Sequence, residues 1–66
     1  MLQISYDPLW ETLRKRDMKK LVLKKIISPA AMKKLQNVEP VSLNVLMKIC
    51  EYLDAPIEDV VQFKEV

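Results

Sequence analysis

Apolar residues along the chain recur at helical spacing in groups separated by polar or proline-bearing breaks. Asp7-Pro8 opens the first group, with Leu9, Trp10 and Leu13 behind it, and predicts a helix from Pro8 to Arg16 capped by Asp7. An indole three residues from Leu13 reads as a core anchor and not as a binding platform. Lys19 to Lys25 carries Leu21, Val22 and Leu23 ahead of Ile26, the content of a short buried helix without a marked cap. Ser28-Pro29 then starts a sharply defined helix, because serine accepts from backbone N–H groups one turn on and proline suits the first helical position. Here Ile27, Met32 and Leu35 face one way, while Pro29, Ala30, Lys33 and Lys34 face the other. After a loop from Gln36 to Pro40, with Asn37 as the expected left-handed stop, Ser42 caps the best-marked helix, striped by Leu43, Leu46, Ile49, Cys50 and Leu53 and widened by Met47. Asp54-Ala55-Pro56 ends it, and Ile57, Val60 and Val61 predict a last short helix. Leu2 to Ser5 is too short for a helix and forms an arm or a strand, with Gln62 to Val66 as its pairing partner.

Composition narrows the classes. Half of the 66 residues are apolar and 30% are charged, a balance that folds. A domain of this length buries only about 60% of its unfolded surface, so helix packing or self-association must supply the stability. One cysteine excludes an internal disulfide, and without histidine a zinc site lacks ligands. No histidine, no glycine-rich phosphate loop and no pair of acids in an apolar setting means no enzyme, no metal and no cofactor is expected. The start Met-Leu-Gln-Ile-Ser is not a signal peptide and no stretch is long enough to span a membrane, so a cytoplasmic protein without a membrane partner is expected, and 66 residues leave no room for a separate effector domain, so no small-molecule ligand is expected.

The net charge of +2 conceals a strong segregation. Arg14, Lys15, Arg16, Lys19, Lys20, Lys24, Lys25, Lys33 and Lys34 stand against Asp17 alone, whereas beyond Leu35 the acids outnumber the lysines. Such clustering is either a phosphate-attracting face or a set of solvated helix surfaces. The small, basic outer side of the Ser28 helix favours the first and marks it as a candidate DNA-recognition helix.

No glycine occurs anywhere, so the turn around Lys25, Ile26 and Ile27 must be made by ordinary residues. A left-handed residue there costs about 1 kcal/mol or more, and most for a β-branched side chain such as Ile26. Either the turn takes another shape or it is strained.

The order of elements resembles the Cro and phage-repressor (XRE-type) family of helix-turn-helix transcription factors, in particular the small bacterial and prophage subgroup with a tryptophan early in the first helix. The residues that carry the likeness are Pro8-Leu9-Trp10, Met18-Lys19-Lys20, Ile27 to Met32 with Lys34-Leu35, Glu39 to Ser42, Val45 to Glu51 and Ile57 to Val60. The resemblance implies an all-α, five-helix domain over residues 1–66, here with a short terminal β ribbon. It also implies a transcriptional regulator, a repressor, that binds double-stranded DNA as a homodimer through its third helix. On that reading Ser28 and the free N–H groups beside Pro29 hold a phosphate, Lys19, Lys20 and Lys34 neutralise others, and Ala30 and Ala31 meet thymine methyl groups. Lys33 donates to guanine or lies along the backbone, and Gln36 and Asn37 are weaker backbone candidates. Phe63, Val66 and the N-terminal arm are the expected dimer contact.

Two departures stand out. The span from Met18 to Ile27 is about two residues shorter than in the apparent relatives, and Val22 and Ile26 replace the usual small residue and glycine. Shortening ahead of Leu21 preserves the pose of the third helix, whereas shortening within the turn rotates it. The second case leaves a helix-turn-helix scaffold that binds a partner protein of a phage or mobile element with little DNA binding.

Overall fold

Proline and serine set where the helices begin, and the apolar rows set which side turns inward. A computed structural model describes residues 1–66. Strand β1 (Leu2–Ser5) leads into α1 (Asp7–Lys15), a 3-10 helix (Lys20–Lys25), α2 (Pro29–Gln36), α3 (Leu43–Leu53), one 3-10 turn (Ile57–Asp59) and β2 (Gln62–Glu65). The strands pair antiparallel in the register Leu2 with Glu65 and Ser5 with Gln62, which ties the ends of the described chain together. Between them one core gathers Tyr6, Leu9, Leu13, Leu23, Ile27, Ala31, Met32, Leu35, Leu46, Ile49, Leu53 and Val60.

The fold has four helices, not the expected five. The span from Pro56 to Gln62 is too short to build a hydrogen-bond ladder, and a single turn forms there, closed by bonds to the Ile57 carbonyl from Val60 (2.9 Å) and Val61 (3.0 Å). The Thr12 hydroxyl donates to the Asp59 carbonyl at 2.8 Å and fastens that turn to α1. Arg16 donates to the carbonyl of Leu53, joining the ends of α1 and α3.

Lys20–Lys25 is not the buried helix expected. Three residues per turn place Lys20, Leu23 and Ile26 in one row and Leu21 and Lys24 in another. Leu23 is fully buried, with Val22 and Ile26 half-buried against the core beside it, while Lys20 stays exposed and Leu21 is 60% exposed. The tighter winding accommodates the shortened segment. Six residues at about 2.0 Å rise span about 12 Å, the length of eight residues in an α-helix. Ile26 has φ −121°, so the turn into α2 takes another shape and avoids the left-handed region.

Helix ends account for the other differences. Asp7 does not cap α1: the Ser5 hydroxyl accepts from the Asp7 N–H (3.3 Å), and the Asp7 carboxylate instead meets the Lys64 ammonium at 2.8 Å. That ammonium holds the Asp7 carboxyl below the usual carboxylate range. Asn37 is not the left-handed stop of α2; that residue is Val38, with φ 57°. The geometry requires it one position later, because the Glu39 N–H bonds back to the Lys34 carbonyl (2.8 Å) and the Val38 N–H to that of Leu35 (3.3 Å). Asp17 and Asp54 serve the same purpose after α1 and α3, where a short polar side chain tolerates positive φ better. Leu43 (82% exposed) and Met47 lie outside the buried stripe of α3, since their positions fall a quarter turn or more from the row of Leu46, Ile49 and Leu53.

Two stability outcomes follow from these ends. Val38→Gly relieves a β-branched left-handed residue that is largely exposed, and chemical denaturation should show a gain of about 1 kcal/mol. Ser28→Ala removes the α2 cap and should cost about 1 kcal/mol, whereas Ser28→Asp should retain most of the stability.

Candidate nucleic-acid interface

Helix α2 owes its orientation to its inner row. Met32 and Leu35 are buried, and Ala31 joins them at 8% exposure. Pro29, Ala30, Lys33, Lys34 and Gln36 are all exposed. Ser28 sits in extended conformation at the N-cap, with its Oγ accepting from the Ala31 N–H at 3.2 Å. The hydroxyl proton of Ser28 stays available, and the Ala30 N–H at the first turn has no backbone acceptor.

Ala31 corrects the expected contact set. Its methyl group faces the core, one turn after Ile27 and one before Leu35, so it has almost no surface to offer a thymine. The expectation gave both alanines a thymine contact, but a helix of 3.6 residues per turn puts Ala30 and Ala31 on opposite sides of the boundary. Ala30 stays outward.

The other expected residues fall in two places. Ser28, Pro29, Ala30, Lys33 and Lys34 share α2, and Asn37 is exposed at its C-cap. Lys19 and Lys20 lie apart, beside a shallow concavity of about 550 Å³ that Trp10, Arg14 and Met18 also line. There the Lys20 ammonium sits 4.4 Å from the centroid of the Trp10 ring. Trp10 is thus half-buried, packed on the core by one side and holding a cation with the other, more than the anchor expected of it.

The electrostatics are one-sided. Between Asp17 and Glu39 no acidic residue occurs. The ion pairs of the fold are Met1 with Glu65, Arg14 with Glu11 and Lys64 with Asp7, so Lys19, Lys20, Lys24, Lys25, Lys33 and Lys34 all remain without a carboxylate partner. Six such cations, five on two adjacent elements and Lys19 just before the first of them, form a field suited to a polyanion. Chemistry elsewhere is quiet: burial and the nearby Glu58 charge push the Cys50 thiol up, away from a reactive thiolate. No helix is long and apolar enough to cross a membrane.

Lys24 escaped the sequence reading as a site candidate, and Gln36 entered it only as a weaker backbone contact. Lys24, from the 3-10 helix, and Gln36, from the last turn of α2, border the same concavity of about 460 Å³ with Pro29 and Lys33, over Ile27 and Met32. The i, i+4, i+7 spacing of Pro29, Lys33 and Gln36 was the available signal for Gln36. Nothing pointed to Lys24, because its row appears only once Lys20–Lys25 winds as a 3-10 helix.

Comparison with known proteins agrees with this geometry. No curated protein matches the chain. The crystal structure of the transcriptional regulator VanUg, form II, superposes with a TM-score of 0.92 at 39% sequence identity, covering 98% of this chain and 89% of that one. The sequence model of the Cro/C1-type helix-turn-helix DNA-binding domain matches residues 8–65, from the start of α1 through β2. The chain therefore belongs to the Cro/C1-type helix-turn-helix DNA-binding domain family.

Proposed function

We propose that this chain is a sequence-specific, double-stranded-DNA-binding transcriptional regulator that acts as a repressor and sets α2 into the major groove as a homodimer. The observation that carries the reading is the outer side of α2, where Pro29 and Ala30 keep the surface low and Lys33 and Lys34 stand free of any carboxylate. The likeness to VanUg, described as a transcriptional regulator, supports the regulatory role. Repression needs nothing beyond occupancy of a promoter.

The contacts divide by position. The Ser28 hydroxyl and the Ala30 N–H take a phosphate at the helix start, and Lys19, Lys20, Lys34 and Asn37 take others along the backbone. These set affinity. Lys33 reaches the O6 and N7 acceptors of a guanine, while Pro29 and the Ala30 methyl group allow close approach beside a thymine methyl.

One helix per copy buries too little DNA surface for high specificity, so two copies bind half-sites about 34 Å apart. The β1–β2 sheet supplies the dimer surface. Alternate positions share a face, and the register puts Leu2, Ile4 and Phe63 together. Leu2 is 63% and Phe63 68% exposed, an apolar patch on a sheet whose outer edges are both open.

Binding to duplex DNA should weaken steeply with salt. About six phosphate contacts per dimer give a log–log slope near −5 in a fluorescence-anisotropy titration. Replacing Lys33 and Lys34 together with alanine should abolish most of the affinity while circular dichroism stays unchanged. Absence of binding to any duplex at low salt would contradict the reading and turn attention to Leu43 and Met47, exposed on α3, as a protein-binding surface. Phe63→Glu should shift sedimentation from dimer to monomer and cut DNA affinity at least tenfold, roughly the loss of cooperation between two half-sites. A wild-type chain that sediments as a monomer on DNA would remove the homodimer.

A further inference from the structure

The two flanks of α2 differ in what neighbours them. Pro29, Lys33 and Gln36 fall within about 60° of one another around the axis, and Ala30 and Lys34 lie on the other side of the outward direction. The first flank opens on the concavity of about 460 Å³, where Lys24 of the preceding element adds a second cation opposite Lys33. Neither lysine is paired, and no acidic residue borders the hollow. The Gln36 carboxamide is exposed and makes no hydrogen bond within the protein. The second flank is a smaller hollow of about 200 Å³ against Val41, Ser42 and Val45, with Lys34 as its only cation. Glu39 is tied by its N–H to the Lys34 carbonyl, which brings an acid to the end of that flank.

We infer that α2 reads bases through its Pro29–Lys33–Gln36 flank, with Gln36 selecting an adenine and Lys24 fixing the adjoining phosphate. The inference rests on the DNA-binding reading above and adds which side of the helix carries specificity. A carboxamide offers one donor and one acceptor in a plane, the complement of adenine N7 and its N6 amino group in the major groove. Ile27 and Met32 form the buried apolar floor of the hollow, which leaves the exposed Gln36 and Lys33 as the groups that meet base edges. Lys24 stands on a different element and so takes the strand wall, where a mobile ammonium neutralises a phosphate without reading a base.

Selection from a randomised duplex pool, followed by sequencing of the bound fraction, tests this with four proteins. The wild type should enrich a motif containing an A·T pair that Gln36→Ala flattens, with a loss of about tenfold in preference at that pair alone. Gln36→Glu should move the preference there to C·G, since a carboxylate accepts from the cytosine amino group. Lys24→Ala should leave the motif intact, weaken every sequence by a similar factor and make the salt slope shallower by about one. An enriched wild-type motif that neither Gln36 variant alters would overturn the inference and leave the DNA-binding reading standing. A wild type that enriches no motif would overturn both.

Discussion

Burial of Met32 and Leu35 leaves α2 a single way to lie. Each of those side chains contributes about 1.5 to 3 kcal/mol on leaving water, against about 1 kcal/mol for the Ser28 cap. Packing therefore decides which side of the helix is hidden, and the cap decides where the helix begins. Everything on the outer side, from Pro29 to Gln36, is displayed because rotation of α2 about its axis would expose that inner row. The display is rigid, as a reading surface needs to be.

The charge pattern gives the display its direction. Unpaired lysines on the 3-10 helix and α2 repel one another, and in the free protein only water and salt relieve them. A duplex relieves them better, because its closely spaced phosphates neutralise several cations at once. The acids lie elsewhere, with Glu51, Asp54, Glu58 and Asp59 on α3 and the turn after it. A duplex approaching the turn after α3 meets those carboxylates, so the same segregation that attracts DNA to one face disfavours that one.

Much of this was legible in the sequence, and the misses have physical causes. Ser28-Pro29 and Ser42 marked two helix starts correctly because a capping hydroxyl followed by a helix former is a local signal. Shortness marked β1, alternation marked β2, and periodicity found the inner row of α3. It misjudged Leu21, Leu43 and Met47, whose exposure depends on how tightly a helix winds or where its stripe ends. The left-handed stop after α2 went to Val38 instead of Asn37, since hydrogen-bond closure outweighs residue preference in a chain without glycine. At the site, the outward lysines of α2 were legible from spacing alone, while the inward Ala31, the Lys20 contact with Trp10 and the approach of Lys24 to Gln36 depend on how separate elements pack.

Titrating an isotopically labelled sample with a duplex of roughly 20 base pairs, long enough for two adjacent half-sites, and following backbone amide shifts by NMR tests the central claim most directly. The account expects the largest shifts at Ser28, Ala30 and Lys33 to Gln36, smaller ones from Lys19 to Lys25, and almost none between Glu51 and Asp59. Shifts centred on α3 and the acidic turn, with α2 unmoved, would contradict it.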